Sequence, residues 1–363
     1  MQTLLSNLID LPSVEQVEKV DSFDRYVNIH PRIKDILAQT VYEVLCAPKG
    51  TILGVVGPTA VGKSALSLLV HRCVNEYHRS KMEENPGFIP VITASLFHPE
   101  DPRSAWRSMY MGIMEVVEPL STKKQADTRS SAFIQQSQRH TALALRMAAQ
   151  SVAKHRGVEL LQIDEGDALV APGHGRDKEY QCNVLKSFLN TTKLPCIIYA
   201  PYPFFRSIKQ HTQLARRVKF IHFPPYGTSE DETLAFLKIA QEFIGELPLP
   251  VAPDFLDENS DLILEKTLRS VGLMKNLFHD ALVEAYRARA RQLRREHLVK
   301  AAMLESVLEN LRLDILNGAV LFGDKLPEPS SGQQTTPPPK PTRKPGQRHP
   351  TRDPLKNPKR GLV

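Results

Sequence analysis

Residues 51–64 read TILGVVGPTAVGKS, an apolar run of strand composition that leads directly into a glycine-bounded loop. Gly57-Pro58-Thr59-Ala60-Val61-Gly62-Lys63-Ser64 fits the pattern GxxxxGK[ST]. The glycines let successive backbone N–H groups turn inward around phosphate oxygens. Lys63 then reaches the β- and γ-phosphates, and the Ser64 hydroxyl holds Mg²⁺. Downstream, Leu66, Leu69, Val70, Cys73, Val74 and Tyr77 recur at the i, i+3, i+4, i+7, i+8, i+11 spacing of a packed helix face. Strand, loop and helix together predict a nucleotide site. Its binding residues are Gly57, Pro58, Thr59, Ala60, Val61, Gly62, Lys63, Ser64 and Ala65, and its cofactors are ATP and Mg²⁺.

Such a site needs an acid at the end of a second core strand. Residues 158–165, VELLQIDE, supply one after Gly157 closes the preceding helix. Asp164 is expected to bind Mg²⁺ through water, and Glu165 to polarise the water that attacks the γ-phosphate. A small-molecule kinase must exclude water and has no use for such a Glu, so the pair favours an ATPase.

Around this pair the chain alternates strands and helices. The strand candidates are TILGVVG, FIPVITA, VELLQID, CIIYA and VKFIHF, separated by amphipathic stretches. That alternation predicts a parallel sheet covered by helices. A helix is expected from Arg32 to Cys46, with Pro31 at its first turn. After Tyr226 the strands stop. Ser229 and Glu232 read as a capping box, and helices are expected over Asp261–Ser270, Gly272–Arg295 and Glu296–Asn317. The predicted division is a helical extension over 1–48, an α/β core over 49–226, an all-helical lid over 227–326 and a disordered tail over 327–363.

Residues 331–363 carry eight Lys/Arg and one acid, which accounts for the entire net charge of +7; the body is neutral. A tail this rich in Pro and poor in apolar residues cannot offset its chain entropy by burial. It reads as a solubilising extension or as a tether to DNA or a partner, and both stay open. Cys46, Cys73, Cys182 and Cys196 show no CxxC spacing and read as buried, reduced thiols rather than a zinc site. No apolar run is long enough to span a bilayer, and the first residues lack a secretory pattern. A cytoplasmic protein without membrane attachment is expected.

With these residues in view, the chain resembles the AAA+ ATPases, and more narrowly the transposon target-selection ATPases of the TnsC/TniB type. Four stretches carry the resemblance: SFDRYVNIHPRIKDIL, GPTAVGKS, LLQIDEGDAL, and the run from NVLKSFLN through KLPCIIYAPYPFF to RRVKFIHFPPY. It implies a P-loop AAA+ core followed by a small helical lid. It further implies ATP bound between neighbouring subunits, with an arginine supplied in trans. Arg217 is the candidate finger and Arg216 the second, against the alternative of a solvated turn. Two departures stand out. The end of CIIYA lacks the expected small polar sensor, holding Tyr199, Ala200, Pro201 and Tyr202 instead. The lid helix offers Lys275 where a sensor arginine is usual.

The resemblance also implies assembly on double-stranded DNA through backbone contacts, as rings or filaments. Arg103, Arg107, Lys123, Lys124 and Arg129 are the candidate DNA residues, with a solvated loop as the equal alternative. Arg287, Arg291 and Arg294 read as a solvated helix face with DNA contact as the alternative. Trp106 is expected to pack. The resulting expectation is an ATP-switched regulator of DNA transposition that oligomerises on duplex target DNA. Its partners are further copies of itself, a transposase and an adaptor of TniQ/TnsD type, and hydrolysis dissolves the assembly. A protein remodeler or helicase loader is the first rival, and a nucleotide-switched signalling NTPase without DNA the second.

Overall fold

In the computed structural model the described residues are 11–95, 102–117, 141–166, 175–210 and 215–323. Strand β1 (Ile52–Val56) is buried along its whole length, as a near-continuous apolar strand must be when helices cover both faces of its sheet. β2 (Val91–Ser95), β3 (Leu160–Asp164), β4 (Cys196–Ala200) and β5 (Val218–His222) complete an all-parallel sheet of order β2-β3-β4-β1-β5. Alternate residues of β1 serve the two faces. Ile52 and Val56 join one apolar cluster, whereas Leu53 and Val55 join the other. Gly54 lacks a side chain where a Cβ would stand 2.8 Å from the Phe220 ring, so that ring fills the space.

The first cluster is roofed by α5 (Pro102–Val117), α6 (Ala142–His155), α7 (Gly175–Thr192) and α8 (Tyr202–Gln210). Trp106 packs as expected, 2% exposed and beside Tyr110. The second face carries α2 (Pro31–Leu45) and α3 (Lys63–Tyr77), which the short α4 (Arg79–Glu84) follows. Pro31 opens α2, and the predicted strands appear in their predicted order: CIIYA is unchanged, the second strand starts three residues late and runs on to Ser95, and the others lose one or two residues at an end. On α3 the buried set is Leu66, Ser67, Leu69, Val70 and Val74. Tyr77, expected on the packed face, is 68% exposed, and Ser67 is buried for a reason given below.

A third cluster unites α9 (Glu230–Gly245), α10 (Phe255–Lys266), α11 (Val271–Arg287) and α12 (Arg295–Ala301) around Phe236, Phe243, Met274 and Phe278. It also takes Phe23 from α1 (Val14–Arg25), a helix opened by a Ser13–Gln16 capping box. The long helices expected here are broken. α11 ends at Arg287, so Arg291 and Arg294 lie beyond it and share no helix face with Arg287. The last segment splits into α12 and α13 (Glu305–Phe322). Only half of the predicted Ser229 box forms. Ser229 accepts from the Glu232 N–H, but the Glu232 carboxylate turns to the Gly227 N–H and to Arg32.

The cysteine expectation needs correcting. Cys46 is exposed at the end of α2 and Cys73 half-buried; Cys196 is buried on β4, where burial pushes its thiol up, and all three are free. The Cys182 side chain and the tail lie outside the described residues. No described helix is long and apolar enough to cross a membrane.

One buried histidine ties the chain before β1 to the segment that leads into the lid. His30 Nδ1 accepts from the Tyr226 hydroxyl at 2.9 Å and caps α2 by accepting from the Ile33 N–H. Burial, aided by Arg32, lowers its pKa to about 4. The depressed folded value means that the unfolded chain binds the extra proton first. Stability is therefore full above about pH 6.5 and falls as pH drops toward 4, by up to about 3 kcal/mol. Urea denaturation at pH 7.5 and pH 4.5 should show this loss, and His30→Gln should flatten it.

Candidate nucleotide site

The loop between β1 and α3 has the backbone of an anion cradle. Ala60 and Gly62 have positive φ, 60° and 112°. A Cβ on Gly57 would stand 2.2 Å from the Phe223 carbonyl oxygen, so only glycine fits there. α3 starts with no side-chain cap, leaving its first N–H groups and positive dipole end directed at the loop. Lys63 Nζ donates to the Gly57 and Pro58 carbonyls at 2.9 and 2.7 Å, which folds its charge over the loop. Ser64 and Thr59 are exposed at the mouth. This donor set fits a nucleotide triphosphate, with the Ser64 hydroxyl available to a divalent cation.

The lid is docked on this loop. Ser270 Oγ donates to the Ala60 carbonyl at 2.7 Å, and a Cβ on Gly272 would stand 2.1 Å from the same oxygen. The N-terminus of α11 therefore abuts the loop with a glycine because no side chain fits. Lys275, the expected stand-in for a sensor, points elsewhere. Its Nζ donates to the Asp24 carbonyl and, at 3.0 Å, to the Tyr26 carbonyl, and burial lowers its pKa. It closes the C-terminal end of α1.

Asp164 ends β3, with β4 standing between β3 and β1. Its Oδ1 accepts from the Glu165 N–H at 2.9 Å. Glu165 is exposed with φ 56°, a left-handed turn that lifts it off the strand end. Below them lies a polar group that motif reading passes over. Gln162 is fully buried; its Oε1 accepts from the Tyr199 hydroxyl at 2.6 Å and meets Ser67 Oγ, while its Nε2 donates to the Ser67 carbonyl and to Thr93. One amide thus ties β3 to β2, β4 and α3, which explains why Ser67 is buried. A Gln among LLQID was the available sign. Tyr199, at the expected sensor position, is consumed by this network, and its burial raises its pKa.

Arg216 and Arg217 are exposed before β5, and the Arg217 carbonyl accepts from the Ile52 N–H at the start of β1. They sit at the end of the sheet opposite Gly57. Five residues at about 3.3 Å each separate the two ends by roughly 16 Å. With Lys49, Lys193 and Lys219 they line an open pocket of about 430 Å³, and the Arg217 guanidinium donates to Asn190. Of the DNA candidates, Arg107 is half-buried on α5 and already engaged within the chain. Arg103 lies on the same helix with its side chain outside the described residues, as are Lys123, Lys124 and Arg129 altogether.

The five-stranded parallel sheet, its P-loop and its docked helical lid make up the fold of the AAA+ P-loop class. Within that class the chain belongs to the TniB family, since the family described as "Bacterial TniB protein" matches residues 21–228. The fold is similar to the Aeropyrum pernix ORC2 protein in its ADPNP–ADP complexes, at 14% identity and a TM-score of 0.54, covering 84% of this chain and 79% of that one. It is also similar to the Aeropyrum pernix ORC1 protein in complex with DNA, at 18% identity and a TM-score of 0.50, covering 74% of this chain. The chain spans 63% of that protein's length. No curated protein matches in sequence.

Proposed function

We propose that this TniB-family protein is an ATP-dependent regulator of DNA transposition that assembles on duplex DNA and recruits a transposase and a target-selection adaptor, with hydrolysis dissolving the assembly. The loop N–H groups and Lys63 hold the triphosphate, Ser64 and Asp164 hold Mg²⁺, and Glu165 takes up the proton of the attacking water. Held there, Mg²⁺ would supply charge neutralisation to the phosphates. Arg217, backed by Arg216, completes the site of a neighbouring copy. DNA contact is assigned to Arg103, Arg107, Lys123, Lys124 and Arg129, and the basic tail is a tether.

The observation that carries this reading is the separation of two anion-binding features at opposite ends of one sheet. A chain cannot bring its own Arg217 to its own Lys63, whereas a head-to-tail neighbour can. Contacts of that kind close into rings or run on as filaments. Such repetition suits a nearly neutral body, because a few inward cations per copy add up along a phosphate backbone.

Negative-stain microscopy of the full chain with a slowly hydrolysed ATP analogue and non-specific duplex DNA tests this. Regular rings or filaments that need both ligands are expected. Rings that need nucleotide and ignore DNA would transfer the reading to a protein remodeler. Nucleotide binding without any assembly would reduce it to a switch.

A further inference from the structure

The lid carries the densest run of positive charge among the described residues. Residues 287–295 read RARARQLRR, five arginines and no acid, in a body that is neutral as a whole. α11 ends there in a Schellman turn: the Ala290 N–H donates to the Ala285 carbonyl and the Arg289 N–H to the Tyr286 carbonyl, both at 2.9 Å. Arg289 takes the left-handed position of that turn, φ 54°, where glycine is the usual residue. Leu293 is fully buried in the lid cluster, and its N–H donates to the Pro250 carbonyl at 3.0 Å. The Arg294 N–H donates to Nδ1 of the buried His297 at 3.0 Å, at the start of α12. The corner between α11 and α12 is thus held by its backbone, and Arg287, Arg289, Arg291 and Arg294 are exposed on it.

The fold accounts for only part of this charge. Arg295 is committed to α10, donating to the Glu258 carbonyl and to Asn259 Oδ1 at 3.0 Å each, and Arg289 is also engaged within the chain. Arg287 meets Glu284 at 3.4 Å with 79% of its side chain exposed. Glu15, which approaches from α1, is already held by Lys19 at 2.7 Å. Like charges this close repel, so the corner is destabilised until an anion offsets them. Its composition selects the anion. Ala288, Ala290 and Gln292 stand between the arginines and Leu293 is buried, so a peptide would find no apolar anchor. Guanidinium forks suit phosphate oxygens, which they meet in bidentate pairs.

Building on the DNA reading above, we propose that this corner binds the phosphate backbone of duplex DNA through Arg287, Arg289, Arg291 and Arg294. It is a contact of the lid, separate from the one assigned to the segment around Arg103 and Arg107. It lies at the opposite end of α11 from Gly272, about 22 Å along the helix from the phosphate loop. Backbone contact reads no bases, so any duplex sequence serves.

Fluorescence anisotropy of a labelled random-sequence duplex tests this, with the full chain and a slowly hydrolysed ATP analogue at several salt concentrations. The Arg287→Gln/Arg291→Gln/Arg294→Gln variant should bind DNA about 30- to 300-fold more weakly at roughly 0.1 M salt, and its log–log salt slope should fall by about 2 to 3. Lys34→Gln/Arg72→Gln/Lys238→Gln removes equal charge from exposed sites elsewhere and should change affinity less than about threefold. Arg289→Gly should weaken DNA about three- to tenfold without lowering the melting temperature, because glycine fits the left-handed turn. ATP affinity should stay the same in all three. Wild-type DNA affinity in the arginine variant, or an equal loss in the control variant, overturns the proposal and leaves DNA assembly standing. A wild-type chain that binds no duplex removes the DNA reading, and the proposal with it. Should the triple arginine variant lose ATP binding as well, its fold is damaged and Arg289→Gly decides: full DNA affinity there overturns the proposal.

Discussion

Lys63→Ala is expected to weaken ATP binding at least about 100-fold while the chain stays folded. The ammonium is the one cation the loop itself provides, and it stands over the Gly57 and Pro58 carbonyls at 2.9 and 2.7 Å. Bound ATP would take this ammonium through its phosphates, and losing two such charge-assisted hydrogen bonds at about 1.5–3 kcal/mol each removes three or more kcal/mol, where each 1.4 kcal/mol is tenfold. The fold depends little on this side chain. β1 is buried by the two apolar clusters, and α3 is anchored by Leu66, Leu69, Val70 and Val74. Isothermal titration with ATP, beside a thermal melt, checks both halves. Tight binding in the variant would show that the loop is not the phosphate site.

Glu165→Gln is expected to reduce ATP turnover about 10²–10⁴-fold, the usual worth of a positioned general base, and to leave ATP binding within a factor of two. The isosteric amide keeps the size of the side chain at a position already strained by its φ of 56°. It removes only the ability to accept a proton. Because hydrolysis is the proposed route of disassembly, DNA-bound assemblies of this variant should persist in ATP itself, not only in an analogue. Single-turnover phosphate release and microscopy in ATP measure the two effects. The same assay tests completion in trans: mixing Lys63→Ala with Arg217→Ala should regain part of the turnover that each lacks alone. Glu165→Gln turning over at the wild-type rate would reassign the base.

Much of the candidate site is legible in the sequence. GPTAVGKS demands glycine and lysine at set places for reasons of backbone geometry and charge, and these demands act within eight neighbouring residues. The acidic pair is likewise local, since a parallel strand ends at the edge where ligands are met. The order of strands and helices followed from their different apolar periods. Helix ends in the lid were less legible. The breaks at Arg287 and before Glu305 fall inside continuous runs of good helix formers, so propensity alone carries a helix through them.

The sequence by itself thus determined a P-loop, an acidic partner strand, a parallel sheet and a helical lid after the last strand. Only the tertiary structure decided what the isolated cations and polar groups are for. Lys275 closes α1, about 250 residues before it, instead of watching a phosphate. Tyr199 faces Gln162 in the core, and Arg217 stands at the far end of the sheet from Lys63. Periodicity reports which side of an element meets apolar matter, because that information is carried by neighbours three or four residues apart. It cannot report which distant element supplies the partner, because that depends on how the layers stack. The charges of this chain acquire their roles only at that level.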